Sequence, residues 1–253
     1  MRYIGVDYHR RFSQLTMMDE RGRVIKEARL ANTKEALQNF LKNTDNGKVV
    51  GVLEAERNWQ VMYDLLEEEL DEVKLAHPYK VKAIAEAKIK TDKIDSKILA
   101  HLLRTELIPE AYVPSKQTRK AKDILRQRMF FIRLRTMVKN RIFMILDRHP
   151  EIKDRPQVVD LFGKTGRRWL GVLRLSPPDD KLLKESLELL DNLNRRIHQT
   201  DYLVEILSNQ HPYVERLRTI PGIGKFFSVL IAFEIDDIKR FFNEEFFQRI
   251  EIT

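Results

Sequence analysis

Cysteine is missing from all 253 residues. That absence removes disulfides, zinc-thiolate sites and thiol nucleophiles together, and leaves oxygen and histidine to hold any metal. The histidines, His9, His77, His101, His149, His198 and His211, are scattered without a ligand spacing. No stretch of about eighteen apolar residues occurs, and Met1 runs into a strand-like segment without a charged-then-apolar leader. These absences predict a cytoplasmic chain with no membrane partner. A second glycine-rich phosphate loop is also missing, which argues against an actin-like ATPase despite the Gly5-Val6-Asp7 opening. Internal repeats and low-complexity tracts are likewise absent.

What is present is a core and a charge. Hydrophobic residues make up 43% of the chain, enough for one large domain or two ordinary ones. A net charge of +8 and a pI near 9.5 favour a polyanion as partner. Residues 2–7, 12–18 and 24–29 are β-prone, with Asp19-Glu20-Arg21-Gly22 as a turn, and predict an antiparallel meander. Asn32 or Thr33 then caps a helix carrying Ala36, Leu37, Phe40 and Leu41. Residues 48–54 read as a buried strand, 59–70 as a helix, 73–76 as a strand, and a helix follows His77-Pro78 through Ala87. This order predicts an α/β domain, a mixed sheet flanked by helices as in the ribonuclease H fold.

In such a sheet Asp7 and Glu54 sit at the ends of neighbouring central strands, where open α/β sheets place their ligands. Asp92 and Asp95, within Lys90-Thr91-Asp92-Lys93-Ile94-Asp95-Ser96, share one face of a helix predicted over 92–107. Such a pair is either a solvated surface or half of a metal site. Together the four acids would supply the oxygen ligands that magnesium needs, and two such ions serve phosphoryl transfer. The plainer reading is four unrelated surface acids among 38. Glu56 rivals Glu54 but falls in the turn beyond the strand end. Lys90 and Lys93 flank the aspartates, to contact phosphate or to neutralise the pair when no metal is bound. His9 can approach the site from two residues past Asp7, although a surface position fits it better. Trp59 and Trp169 read as core or groove anchors.

Acid is nearly lacking from residues 116–141. Lys116, Arg119, Lys120, Lys122, Arg126, Arg128, Arg133, Arg135, Lys139 and Arg141 are opposed within it by Asp123 alone. Ile124, Leu125, Phe131, Leu134, Val138, Ile142 and Ile145 keep a helical period between them, which predicts one long basic helix. It is either a solvated face or a binder of phosphate backbones, with Arg119, Lys120, Arg126, Arg133 and Arg135 as contacts. A linker that is helix-poor over 163–171 precedes a heptad-like stripe over 182–207. The two long helices form a hairpin or coiled coil, within the chain or across a homo-oligomer. Ile220-Pro221-Gly222-Ile223-Gly224, between two short helices, matches the helix-hairpin-helix pattern, in which Gly222, Gly224 and Lys225 approach a phosphate. A plain tight turn is the alternative. From Ile238 an apolar aromatic element begins without a partner.

Asp7, Glu54 in Val-Leu-Glu-Ala and Lys-Thr-Asp92-Lys-Ile-Asp95-Ser resemble the tetrad of the DEDD insertion-sequence transposases related to the Piv and MooV DNA invertases. Ile-Pro-Gly-Ile-Gly with the later Glu234-Ile-Asp-Asp-Ile-Lys-Arg-Phe241 resembles the opening of that family's second domain. The resemblance implies a RuvC-like DEDD domain over 1–110 and a basic helical, coiled-coil region over 111–210. It implies an incomplete start of the C-terminal transposase domain over 211–253. It further implies magnesium, DNA, in some members a structured guide RNA, and a nucleophilic serine that no residue here matches; Ser228 lies inside a predicted helix. The expectation is a truncated transposase that binds DNA and metal and is incomplete for strand exchange. A RuvC-like structure-selective nuclease and a non-catalytic nucleic-acid-binding remnant are the alternatives.

Overall fold

The β-prone runs near the start form β1 (Arg2–Tyr8), β2 (Phe12–Met18) and β3 (Val24–Ala31), and two later runs form β4 (Val49–Glu54) and β5 (Glu72–Ala76). The structure is a computed structural model that describes residues 1–42, 47–85 and 91–241. It divides into two units, Met1–Val113 and Pro114–Thr253. Among the described residues no helix is long and apolar enough to cross a membrane.

In the first unit the strands lie in the order β3-β2-β1-β4-β5. β1 is antiparallel to β2 and parallel to β4, β2 is antiparallel to β3, and β5 continues the parallel side. Helices α1 (Lys34–Leu41) and α2 (Trp59–Glu69) cover one face, where Leu37, Phe40, Met62 and Leu66 meet Ile4, Val6 and Leu53. Helices α3 (Pro78–Ile84) and α4 (Asp92–Arg104) cover the other, where Val81, Leu99 and Leu103 meet Val50 and Val52. Side chains alternate along a strand. Gly5 and Asp7 therefore share the α4 side with Tyr3, and Glu54 shares it with Val50 and Val52.

β1 and α4 touch at Gly5. A Cβ there would lie 1.9 Å from the Ser96 carbonyl oxygen and 2.5 Å from the Ala100 nitrogen, so helix backbone occupies the space a side chain would need. On the adjoining strand Thr16, paired with Gly5, shares a buried 2.8 Å hydrogen bond with the Ser96 hydroxyl. These contacts fix both the height and the register of α4 over the sheet.

The second unit is helical: α5 (Lys116–Leu146), α6 (Lys164–Val172), α7 (Asp179–Ser208), α8 (Val214–Arg218) and α9 (Lys225–Ile235), with a 3-10 turn at Ile238–Phe241. Buried Leu183, Leu187, Leu190, Leu193, Ile197, Val204 and Leu207 follow the heptad-like stripe of α7. One end of α7 packs on Val138, Ile142 and Ile145 of α5, and the other on Ala121 and Leu125. The long helices thus form an antiparallel hairpin within the chain. The helix-poor reading of 163–171 is corrected by α6. Gly163 is its N-cap rather than a break, and Gly166 has no side chain because the Leu161 carbonyl oxygen would lie 2.1 Å from a Cβ there. The apolar element beginning at Ile238 is described only as far as Phe241, and its remainder lies outside the described residues.

His149, past the end of α5, bonds Glu151 through Nδ1 at 2.7 Å and Asp179 of α7 through Nε2 at 3.0 Å. The hydrogen bond to Glu151, followed by that to Asp179, raises its pKa above 6.5. The imidazolium therefore stabilises the fold fully below the ordinary histidine value, and the contribution is lost as pH rises through the raised one. His149→Gln is expected to lower the thermal midpoint more at pH 6 than at pH 9, as read by melts across that range. Gly5→Ala should destabilise by about 1–3 kcal/mol or more, because two backbones must separate. In denaturant melts Gly47→Ala is the control, since a Cβ there meets nothing nearer than 3.8 Å.

Candidate functional site

Asp7 is the penultimate residue of β1 and Glu54 the last of β4. These strands run parallel in a register that pairs Val6 with Leu53, so both acids reach the same edge of the sheet. Thr91 caps α4 by accepting a 3.3 Å hydrogen bond from the Ile94 N–H, which places Asp92 and Asp95 in the first turn. The helix dipole favours acids there. Ser96 is fixed over Gly5. From that contact, one helical turn leads back to Asp92 and two strand residues lead on to Asp7, both steps being roughly 6 Å.

The outcome is a cluster. Asp7, Glu54 and Asp95 line one cavity of about 440 Å³, joined by Glu56, which is exposed beyond the end of β4. Asp92 borders a groove with Gln14, Arg29 and Lys93. His9 bridges the two sides: its Nε2 lies 3.1 Å from Asp7 Oδ2 and 3.4 Å from Asp92 Oδ1. The turn carrying His9 is braced by Asn32, whose amide donates to the His9 carbonyl at 2.7 Å and whose oxygen accepts from Ser13 at 2.7 Å. The imidazole also packs on Phe12 with ring centroids 4.9 Å apart. His9 thus lies against Asp7 and Asp92, the approach that its place in the sequence allows, while its side chain stays 43% exposed, as a surface histidine would. The signal was available in its two-residue offset from Asp7, which sends both side chains to one side of an extended chain.

Burial pushes the Asp7 carboxyl above its ordinary 3.8, and the negative charges of Asp92 and Asp95 add to the rise while His9 opposes it. Asp7, His9 and Asp92 each offer a ligand atom, all within 4.8 Å of one another. A divalent cation fits this set of carboxylate oxygens and one imidazole nitrogen, and would relieve the repulsion that raises Asp7.

The predicted nucleic-acid contacts are more dispersed. Lys90 lies outside the described residues. Lys93 is exposed at the start of α4. On α5, Lys120, Arg126 and Arg133 are exposed, whereas Arg119 and Arg135 are half-buried. The basic row finds acids on other helices: Glu234 of α9 takes Lys122 at 3.1 Å and Arg126 at 3.2 Å, and Asp201 of α7 takes Arg128 at 2.5 Å. Gly222 sits in the left-handed region at φ 88° in the α8–α9 turn, and Gly224 is the N-cap of α9. Lys225 pairs with Glu205.

Asp7 has a raised folded pKa, so its contribution to stability is full below the ordinary carboxylate value and is lost as pH rises through the raised one. Asp7→Asn should therefore melt higher than the wild type at pH 7 with EDTA present. Its advantage should shrink as pH is lowered toward about 4.

A family model for IS110-type DEDD transposases, described as transposase, matches residues 4–150, more than half of the 253-residue chain. The match begins within β1 and takes in β2 to β5, α4 and all of α5, and the mixed five-stranded sheet is consistent with a RuvC-like transposase domain. A search of curated proteins gave no match. The chain belongs to the IS110-type DEDD transposase family.

Proposed function

We propose that the acidic edge of the sheet is the strand-cutting centre of a DNA transposase, with Asp7, Glu54, Asp92 and Asp95 as its carboxylates. The observation that carries this reading is the convergence of acids from β1, β4 and α4, with His9 between Asp7 and Asp92. Asp7, Asp92 and His9 would hold a divalent cation, magnesium by the family's chemistry, with Glu54 and Asp95 beside it. The ion would stabilise charge on the scissile phosphate and favour ionisation of the attacking hydroxyl. Without the ion, His9 Nε2 bridges the two aspartates; with it, the imidazole would turn a lone pair to the metal in place of that bridge, and the partial burial of Asp7 would limit screening by bulk water.

The helical unit is read as the nucleic-acid-holding part. Exposed Lys120, Arg126 and Arg133, with Arg119 and Arg135 alongside, would track a phosphate backbone of DNA or of a structured guide RNA. Gly222, Gly224 and Lys225 would contact DNA as a helix-hairpin-helix, and Lys90 and Lys93, which flank the aspartates in sequence, would contact phosphate. The reading keeps the functional division at 1–110, 111–210 and 211–253, with homo-oligomers formed through the helical region. A RuvC-like structure-selective nuclease is the second reading, favoured by the fact that the acids and a metal suffice for it.

Purified chain mixed with branched DNA should cut one strand only when magnesium or manganese is added. His9→Ala is expected to reduce metal affinity or cleavage about 10–100-fold, and Asp92→Asn by more. Cutting that is equally fast in EDTA, or in Asp92→Asn, would refute the proposal. Cleavage confined to branched structures, with no joining to a second DNA, would instead favour the nuclease.

A further inference from the structure

The cavity beside the acids has a wall that phosphoryl transfer does not use. Val81 anchors α3 in the core it shares with Leu99. Tyr79 and Lys82 of α3 are exposed, Tyr79 to 83%, yet both line the same cavity as Asp7, Glu54 and Asp95. Their three-residue spacing puts them on one face of the helix. A lone exposed aromatic is ordinary on a protein surface. An aromatic ring and a cation set in one hollow with a cluster of carboxylates form a more specific arrangement. A neighbouring hollow shares Tyr8 and Glu56 with this cavity and carries Arg10 and Arg57, both exposed. Cations thus border the acids on more than one side.

We propose that the cavity takes one unpaired nucleotide of the strand to be cut, its base stacked on Tyr79 and its flanking phosphates held by Lys82 and by Arg10 and Arg57. The inference rests on reading the acids as a DNA-cutting centre. Every base offers a π-face, so such stacking positions a strand without reading its sequence. A base inside a duplex has both faces covered and must leave the stack before it can lie on a side chain. About 440 Å³ falls within the range of pockets that hold one small ligand. The substrate class that follows is DNA with a splayed or single-stranded nucleotide at the cut, and fully paired duplex is a poor substrate.

The test uses the full chain and two DNA probes of one sequence, a branched oligonucleotide with 2-aminopurine at successive unpaired positions and a blunt duplex. In EDTA, binding should quench the fluorescence at one position of the branched probe. Tyr79→Ala should abolish that quenching and weaken binding to this probe roughly tenfold, with duplex binding and melting temperature unchanged. Tyr79→Phe should behave as wild type, since stacking needs the ring and not the hydroxyl. Lys82→Gln should reduce the salt dependence of binding by about one unit of slope. Quenching and affinity unaltered in Tyr79→Ala, or lost equally for both probes, would overturn the inference. If magnesium-dependent cleavage persists in that case, the DNA-cutting reading stands without it. A chain that binds neither probe removes both.

Discussion

Everything at the acidic edge depends on how closely α4 approaches β1. Helix backbone lies where a Gly5 side chain would be, and the Thr16–Ser96 hydrogen bond sets the rotation of the helix. A helix resting on side chains would ride several ångströms higher, and the first turn of α4 would then present Asp92 and Asp95 to solvent instead of to Asp7. The strand order adds the other half of the constraint. Because β1 and β4 are adjacent and parallel, their C-terminal ends coincide, whereas the β1–β2 side reverses direction. An acid at the end of each parallel strand and two at the start of one helix can therefore share a single edge.

Assembling these charges works against the stability of the metal-free fold. Burial and two neighbouring carboxylates raise Asp7. The opposing influences are local: the dipole of α4, and a histidine held against Asp7 and Asp92 by a braced turn. Strain of this kind at a site, offset by rigid packing beneath it, is what a preorganised charge-binding centre requires. The helical unit solves a separate problem. Its α5–α7 hairpin buries a heptad stripe at each end of its length, while ion pairs from α5 to α7 and α9 tie down part of a densely cationic helix.

Much of the sheet could be read in the sequence because its cues are local. Alternating apolar residues, the Asp19–Gly22 turn and strand-end acids mark β1 to β5 without reference to distant contacts, and α5 and α7 announce themselves by period. Most of what escaped depended on neighbours far along the chain. Residues 163–171 read as helix-poor, yet Gly163 caps α6 and Gly166 admits the Leu161 carbonyl within it. The approach of His9 to Asp92 was not legible, because the two are remote in sequence. The charge partners of Lys122, Arg126 and Arg128 sit on α7 and α9, so the row looked unopposed when only its own helix was counted. The acids could be picked out by type and position, but their mutual approach needed Gly5, whose lack of a side chain carries no chemical signature.

Those interhelical ion pairs also bear on how the protein would behave as a polyelectrolyte. A cation already neutralised by Glu234, Asp201 or Glu205 expels no counterion from a nucleic acid unless its own carboxylate partner lets go. The number of condensed ions released on association is then smaller than the tally of lysines and arginines along α5 and at the start of α9. Formal charge and thermodynamic valence part company here. A highly basic chain can in this way grip a backbone with a gentler dependence on ionic strength than its isoelectric point suggests, and can do so without giving up the acids that hold its helices together.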